Sequence, residues 1–103
     1  MLLNTLVWAC VSGVQADEFL NRDFLTLQEA HQKFWIQGAM DTLIQVAAAK
    51  GKEKGQCVAN WYYSEKRAER NSLILASMKK YSNEHPSALM LALVEQSCGT
   101  FRK

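Results

Sequence analysis

The chain has one proline, five glycines, two histidines and three cysteines among its 103 residues, and these scarcities exclude most catalytic machinery. There is no Cys-x-x-Cys, no His-Glu-x-x-His, no glycine loop of the kind that cradles phosphate, and no paired-acid motif. The two histidines, His31 just after a helix start and His85 just before Pro86, have plain structural readings. A cysteine nucleophile needs a free thiolate with a base in reach, and the cysteines here are better used on each other. The residues therefore predict no enzyme, no metal and no cofactor.

No excess of one charge is present either. Twelve basic and ten acidic residues give a net charge of +2 and are mixed along the chain. That leaves no electrostatic footprint for nucleic acid or an anionic membrane. The densest cluster is Glu65-Lys66-Arg67-Ala68-Glu69-Arg70, in which Glu65 and Glu69 share one helical row and Lys66 and Arg70 the next. Pairing between these rows predicts a solvated helix face. Alternation of strand type, internal repeats and low-complexity segments are all missing.

Long hydrophobic runs are lacking too. The apolar stretch from Leu2 to Ala9 falls short of the roughly 20 residues that span a bilayer, and Asp17-Glu18 interrupt it, so no membrane anchor is expected. Residues 1–16 read instead as an export signal peptide ending Val14-Gln15-Ala16, a small-residue cleavage pattern. No Lys or Arg precedes Arg22, a departure from the usual positive start. Cys10 follows Val7-Trp8-Ala9, a poor lipidation signal, and would leave with the leader.

Residues 17–103 then form a single small domain of marginal stability that holds two cysteines, Cys57 and Cys98. In an exported domain such a pair predicts a disulfide. Its loop of roughly 40 residues would contribute on the order of 4 kcal/mol in the chain-entropy model. Were the leader an N-terminal helix of a cytosolic protein, the same pair would be two buried thiols.

Thr26 followed by Glu29 makes a capping box, and from Leu27 the apolar residues Ala30, Phe34, Leu43 and Ala47, with Ile36, Met40 and Ile44 beside them, recur at helical spacing. These predict a long helix over 26–50. Two glycines and four charges in Lys50-Gly51-Lys52-Glu53-Lys54-Gly55 predict an exposed, flexible loop. Ser64 is a candidate N-cap for a second helix carrying Ala68, Asn71, Ile74, Leu75, Met78 and Tyr81 on one side and stopping before His85. Pro86 suits the first turn of a third helix. That helix is apolar nearly all round from Ala88 to Val94, as a centrally buried one would be, and Gly99 can cap it. The expected fold is all-α, a small orthogonal bundle of three to four helices with one disulfide, tying the last helix to the start of the second.

Two features stand out inside that scheme. Gly38 interrupts a helix at a cost of about 1 kcal/mol relative to alanine, which predicts a helix crossing there; Asp41, one turn on, either finds amide or hydroxyl partners or points to water. Trp61-Tyr62-Tyr63 cannot all face inward, so at least one ring packs on the core beside the disulfide and one or two remain exposed. Next to Glu65, Lys66 and Arg67, exposed Trp and Tyr have the composition of a binding hot spot.

The order Trp35-Ile36-Gln37-Gly38-Ala39-Met40-Asp41, Cys57, a helix through Tyr81, Asn83-Glu84-His85-Pro86, Ala92-Leu93-Val94 and Cys98 resembles the Tai and Rap immunity proteins of bacterial type VI secretion, most of all the fourth Tai group. The resemblance covers residues 24–101. It departs from the pattern at Val58-Ala59, where many relatives have a proline, and at Trp35, which replaces the usual Tyr. The resemblance implies a periplasmic, all-helical protein, often a homodimer, that binds a papain-like peptidoglycan amidase toxin and occludes its active-site cleft with a protruding loop and helix.

Exposure, aromatic content and charge nominate Lys52, Glu53, Lys54, Trp61, Tyr62, Tyr63, Glu65 and Arg67 for that contact, while Gly38, Asp41 and Pro86 serve as structural motif positions. None of the contact residues is carried over from the family. The rival expectation is a small, disulfide-bonded periplasmic acid-stress chaperone with a dimer interface exposed by acid, against which only two histidines argue. A structural subunit of an envelope complex is a third.

Overall fold

A computed structural model describes residues 18–101, so the predicted leader lies outside the described residues. The architecture is all-α, and the described residues form a single-turn helix α1 (Asn21–Phe24) and four longer ones: α2 (Glu29–Lys50), α3 (Lys52–Tyr62), α4 (Arg67–Lys80) and α5 (Pro86–Cys98). No helix among the described residues is long and apolar enough to cross a membrane.

The expected loop at residues 50–55 is a correction. Only Gly51 interrupts the helices. Its N–H donates to the carbonyls of Ala47 and Ala48 at 3.2 and 3.1 Å, and its own carbonyl accepts from Gly55 at 3.1 Å. One residue thus closes α2 and opens α3, and α3 runs back along α2. Gly55 explains why the chain can fold so tightly. A Cβ there would stand 2.7 Å from the Ala48 Cβ and 2.9 Å from its Cα, so the two backbones meet where only glycine fits, and packing outweighs its poor helix propensity.

Gly38, by contrast, is exposed, and a Cβ there would meet no heavy atom within 4 Å beyond the adjoining backbone of its own helix. The expected helix crossing at Gly38 is therefore displaced to Gly55. The Thr26–Glu29 capping box is also absent: α2 starts at Glu29 with Gln28 as N-cap, and the Thr26 hydroxyl donates to the Asp23 carbonyl at 2.7 Å. Thr26 thus serves α1, while Glu29 pairs with Lys33 one turn along α2 at 3.4 Å. Asp23 accepts from the Leu20 N–H at 2.9 Å, and the buried Gln32 amide donates to the Phe24 and Leu25 carbonyls at 3.3 and 3.4 Å, satisfying the open end of the turn.

The core joins all five helices through Phe24, Ile36, Met40, Ala47, Val58, Tyr62, Ile74, Met78, Leu89, Met90, Val94 and Phe101. On α2 the buried stripe is Ile36, Met40 and Ala47, whereas Ala30 and Phe34 of the expected pattern face solvent, Phe34 at 74% exposure. On α4 the i, i+4 pair Ile74 and Met78 is buried, as the spacing predicts.

Helix α5 opens on Pro86 in its first turn, where a missing N–H costs nothing. It is not buried all round: Leu89, Met90 and Val94 face the core while Ala88, Ala92 and Gln96 form an exposed row. Gly99 ends it at φ +92°, a conformation that favours glycine. The chain then turns back so that Phe101 enters the core. Its N–H donates to the Glu95 carboxylate at 2.8 Å, Lys54 donates to the Thr100 carbonyl, and the Lys54 ammonium lies 5.9 Å from the Phe101 ring centre.

The Cys57–Cys98 disulfide is formed. Cys57 lies in the middle of α3, not at the start of the helix after it, so the bond joins α3 to the last residue of α5.

The turn after α4 is held by α1. Asn21, fully buried, donates through its backbone to the Glu84 carbonyl at 2.8 Å and through its side-chain amide to the Tyr81 carbonyl at 2.9 Å. Arg22 N–H reaches the Ser82 carbonyl at 3.1 Å.

Candidate functional site

Where α3 ends and the chain reverses into α4, three aromatic rings and two arginines interlock. Successive helical residues are about 100° apart, and the three rings take three environments: Trp61 is half-buried, Tyr62 is fully buried and Tyr63 is 38% exposed. The Tyr62 ring meets the Tyr63 ring edge-on at 4.9 Å, and its hydroxyl bonds the Asn71 side chain at 2.8 Å. Ser64 does not cap α4 as its N-cap; it sits in the turn, accepts the Lys66 N–H at 3.1 Å, and the helix begins at Arg67.

Arg70 does not form the row-to-row pair with glutamate that its spacing suggested, and both arginines turn to the rings instead. The Arg67 guanidinium lies 5.3 Å from the Tyr62 ring centre and 5.1 Å from that of Tyr63, and its Nη2 donates to Gln37 Oε1 at 3.0 Å. The Arg70 guanidinium lies 4.9 Å from the Trp61 ring centre and its Nε donates to the Trp61 carbonyl at 2.8 Å. A cation on a carbonyl in the last turn of α3 complements that helix's negative end, and both arginines gain attraction from the ring faces.

Asp41 does not face the core: it is exposed, as the solvent-facing alternative expects, and still accepts the Tyr63 O–H at 2.6 Å. Partial burial of the phenol pushes the Tyr63 pKa up to about 12, with the Asp41 hydrogen bond and its negative charge adding to the rise and Arg67 opposing it. The phenol therefore stays protonated and donating at every physiological pH.

The structure brings together Trp61, Tyr62, Tyr63 and Arg67 of the predicted contact residues and adds Asp41. It does not bring in the others. Lys52 and Glu53 are exposed in the first turn of α3, about 15 Å away along an 11-residue helix at 1.5 Å per residue. Lys54 is turned to the chain end, as described above. Glu65 is exposed in the turn before α4. Residues missed from the sequence are Gln37, Arg70 and Asn71. The available signal was the spacing 67, 70, 71 and 74, which sets both arginines on the same side of α4 as the buried Ile74.

Beside this cluster on α2, the rows shift by one residue. Gln37 and Asp41 serve the cluster, and Gly38 and Thr42 line an open groove of about 420 Å³ shared with Phe34, Ala39, Leu43 and Met90. The Thr42 hydroxyl donates to the Gly38 carbonyl at 3.0 Å. No group of three or more His, Cys, Asp or Glu among the described residues could hold a metal ion. Comparison of the chain with family models, curated proteins and solved structures finds no match.

Proposed function

We propose that this chain is a periplasmic immunity protein that binds a type VI secretion peptidoglycan amidase and inhibits it by covering the active-site cleft. The observation that carries the reading is the aromatic and arginine cluster at the end of α3: Trp, Tyr and Arg are the residue types that dominate binding hot spots, and here each is held by a named partner. Rings and guanidinium groups fixed in advance lose less side-chain freedom on docking. A brace behind them, the Cys57–Cys98 disulfide on the same helix, acts in the same direction. The ordered residue sequence from Trp35 to Cys98 supplies the family resemblance, and occlusion requires no chemistry from the inhibitor, only a rigid body in the substrate path.

The test is coexpression of the full chain, exported, with the amidase encoded in the adjoining reading frame. Cell survival together with a stable complex on size exclusion supports the proposal. Survival without a complex rules out occlusion.

A homodimer belongs to the same proposal; the Phe34, Gly38 and Leu43 groove is an exposed apolar surface of the character a second copy requires. That groove also favours the second reading, an acid-stress chaperone. Suppression of client aggregation at low pH, with no binding to the amidase, would establish the chaperone instead.

A further inference from the structure

We infer that the patch formed by Trp61, Tyr63, Arg67 and Arg70 receives a carboxylate-bearing segment, an Asp or Glu on an exposed loop of the partner protein. The inference rests on the immunity reading and names what the partner must present.

The argument starts from how the arginines are stacked. A guanidinium is a planar fork of five N–H donors, and contact with an aromatic face occupies its plane while leaving the N–H edge free. Arg67 directs Nη2 to Gln37 and Arg70 directs Nε to the Trp61 carbonyl. Among the described residues these bonds leave most of the two forks' donors unengaged. The rings and those two acceptors fix where the remaining donors point, which is the pre-organisation that bidentate recognition of a carboxylate uses.

Local charge supports the same occupant. Glu69 is two residues from Arg67, on the far side of α4 from the Arg67, Arg70 and Ile74 side, and Glu65 lies in the preceding turn. Asp41 is engaged by the Tyr63 hydroxyl. No glutamate of α4 therefore competes for the arginine edges. A polyphosphate or nucleic-acid strand is a poorer match, because the net charge of +2 is mixed along the chain and no basic stripe extends the patch.

The experiment is calorimetric titration of the exported chain with the purified, inactivated amidase of the adjoining reading frame. The variants are R67Q and R70Q, which keep a donor and remove the charge, and R67K, which keeps the charge and loses the planar fork. K79Q removes one positive charge from exposed Lys79 in the last turn of α4. Each arginine variant is expected to weaken binding by about thirtyfold, the factor that separates a hot spot from its surroundings. K79Q is expected to bind as wild type, and the salt dependence of wild-type affinity should flatten in R67Q and R70Q. Thermal denaturation identifies any variant that fails to fold, in which case R67K decides.

Folded arginine variants that bind as wild type, or keep the wild-type salt dependence, overturn the inference and leave the immunity reading standing. Equal weakening by K79Q also overturns it, since net charge rather than the patch would then be responsible. A wild-type chain that binds no amidase removes both.

Discussion

Tyr63, the first residue past α3, donates its hydroxyl hydrogen to Asp41 in the middle of α2 at 2.6 Å. This bond closes the far end of the α2–α3 hairpin, opposite the Gly51 joint, and it holds one wall of the aromatic and arginine cluster.

A first prediction concerns pH. The folded Tyr63 pKa is raised from 10.0 to about 12, so the neutral phenol is favoured by folding. Its contribution to stability is fully present below pH 10 and is lost as pH rises toward 12. Difference absorbance titration of wild type against Y63F should find one phenol ionising near pH 12, and denaturant midpoints should fall more steeply in that window for wild type than for Y63F. A difference spectrum with ionisation near 10 would contradict the bond.

Glycine substitutions make the second. Gly55→Ala places a methyl against the Ala48 backbone and Cβ and should destabilise by about 1–3 kcal/mol, as overpacking does. Gly38→Ala meets open space and should stabilise by up to about 1 kcal/mol through helix propensity. Urea denaturation of both variants reads the two opposite signs directly. If Gly38→Ala were the more damaging, the hairpin geometry would be wrong.

The disulfide is the third. The Cys57→Ala, Cys98→Ala double variant should lose about 2–4 kcal/mol, measured as a lower urea midpoint, and reductant should move wild type by a similar amount while leaving the variant unchanged. Reductant sensitivity in the double variant would contradict this assignment.

Phe101 provides the fourth. It is 6% exposed and anchors the segment beyond α5, so Phe101→Ala should cost about 3–5 kcal/mol, the range for truncating a buried Phe. An unchanged denaturation midpoint would show that the segment does not pack in solution.

Much of this architecture was legible in the residues. Pro86 and Gly99 bracketed α5 correctly because each acts through its own backbone, one by a fixed φ and the other by tolerance of a positive one. The cysteine pair was legible because two cysteines in so small a domain have few other uses than each other. Helix α3 was not. Gly51 and Gly55 with four charges look like a loop locally, and the compensation for Gly55, contact with Ala48, is a tertiary event no window of sequence contains.

The cluster was half visible for a related reason. Trp61, Tyr62, Tyr63 and Arg67 announced themselves by composition, but Arg70 was assigned to the neighbouring glutamates and nothing named the partners of either arginine. Only the three-dimensional fold places aromatic faces and Gln37 opposite them, and these partners displace a solvent-screened pair of small value. Phe34 illustrates the reverse error, an apolar residue at helical spacing that the fold leaves outside.

The bond between Cys57 and Cys98 makes a covalent ring of the segment that contains all of α4 and every cluster residue except Gln37 and Asp41. A protease that cuts once in the turn after Tyr63, or once before His85, therefore yields a nicked molecule rather than two fragments. Its pieces would separate on a gel only after reductant is added, and after the first of these cuts Trp61 and Arg70, then on different pieces, would remain tethered through the far side of the ring.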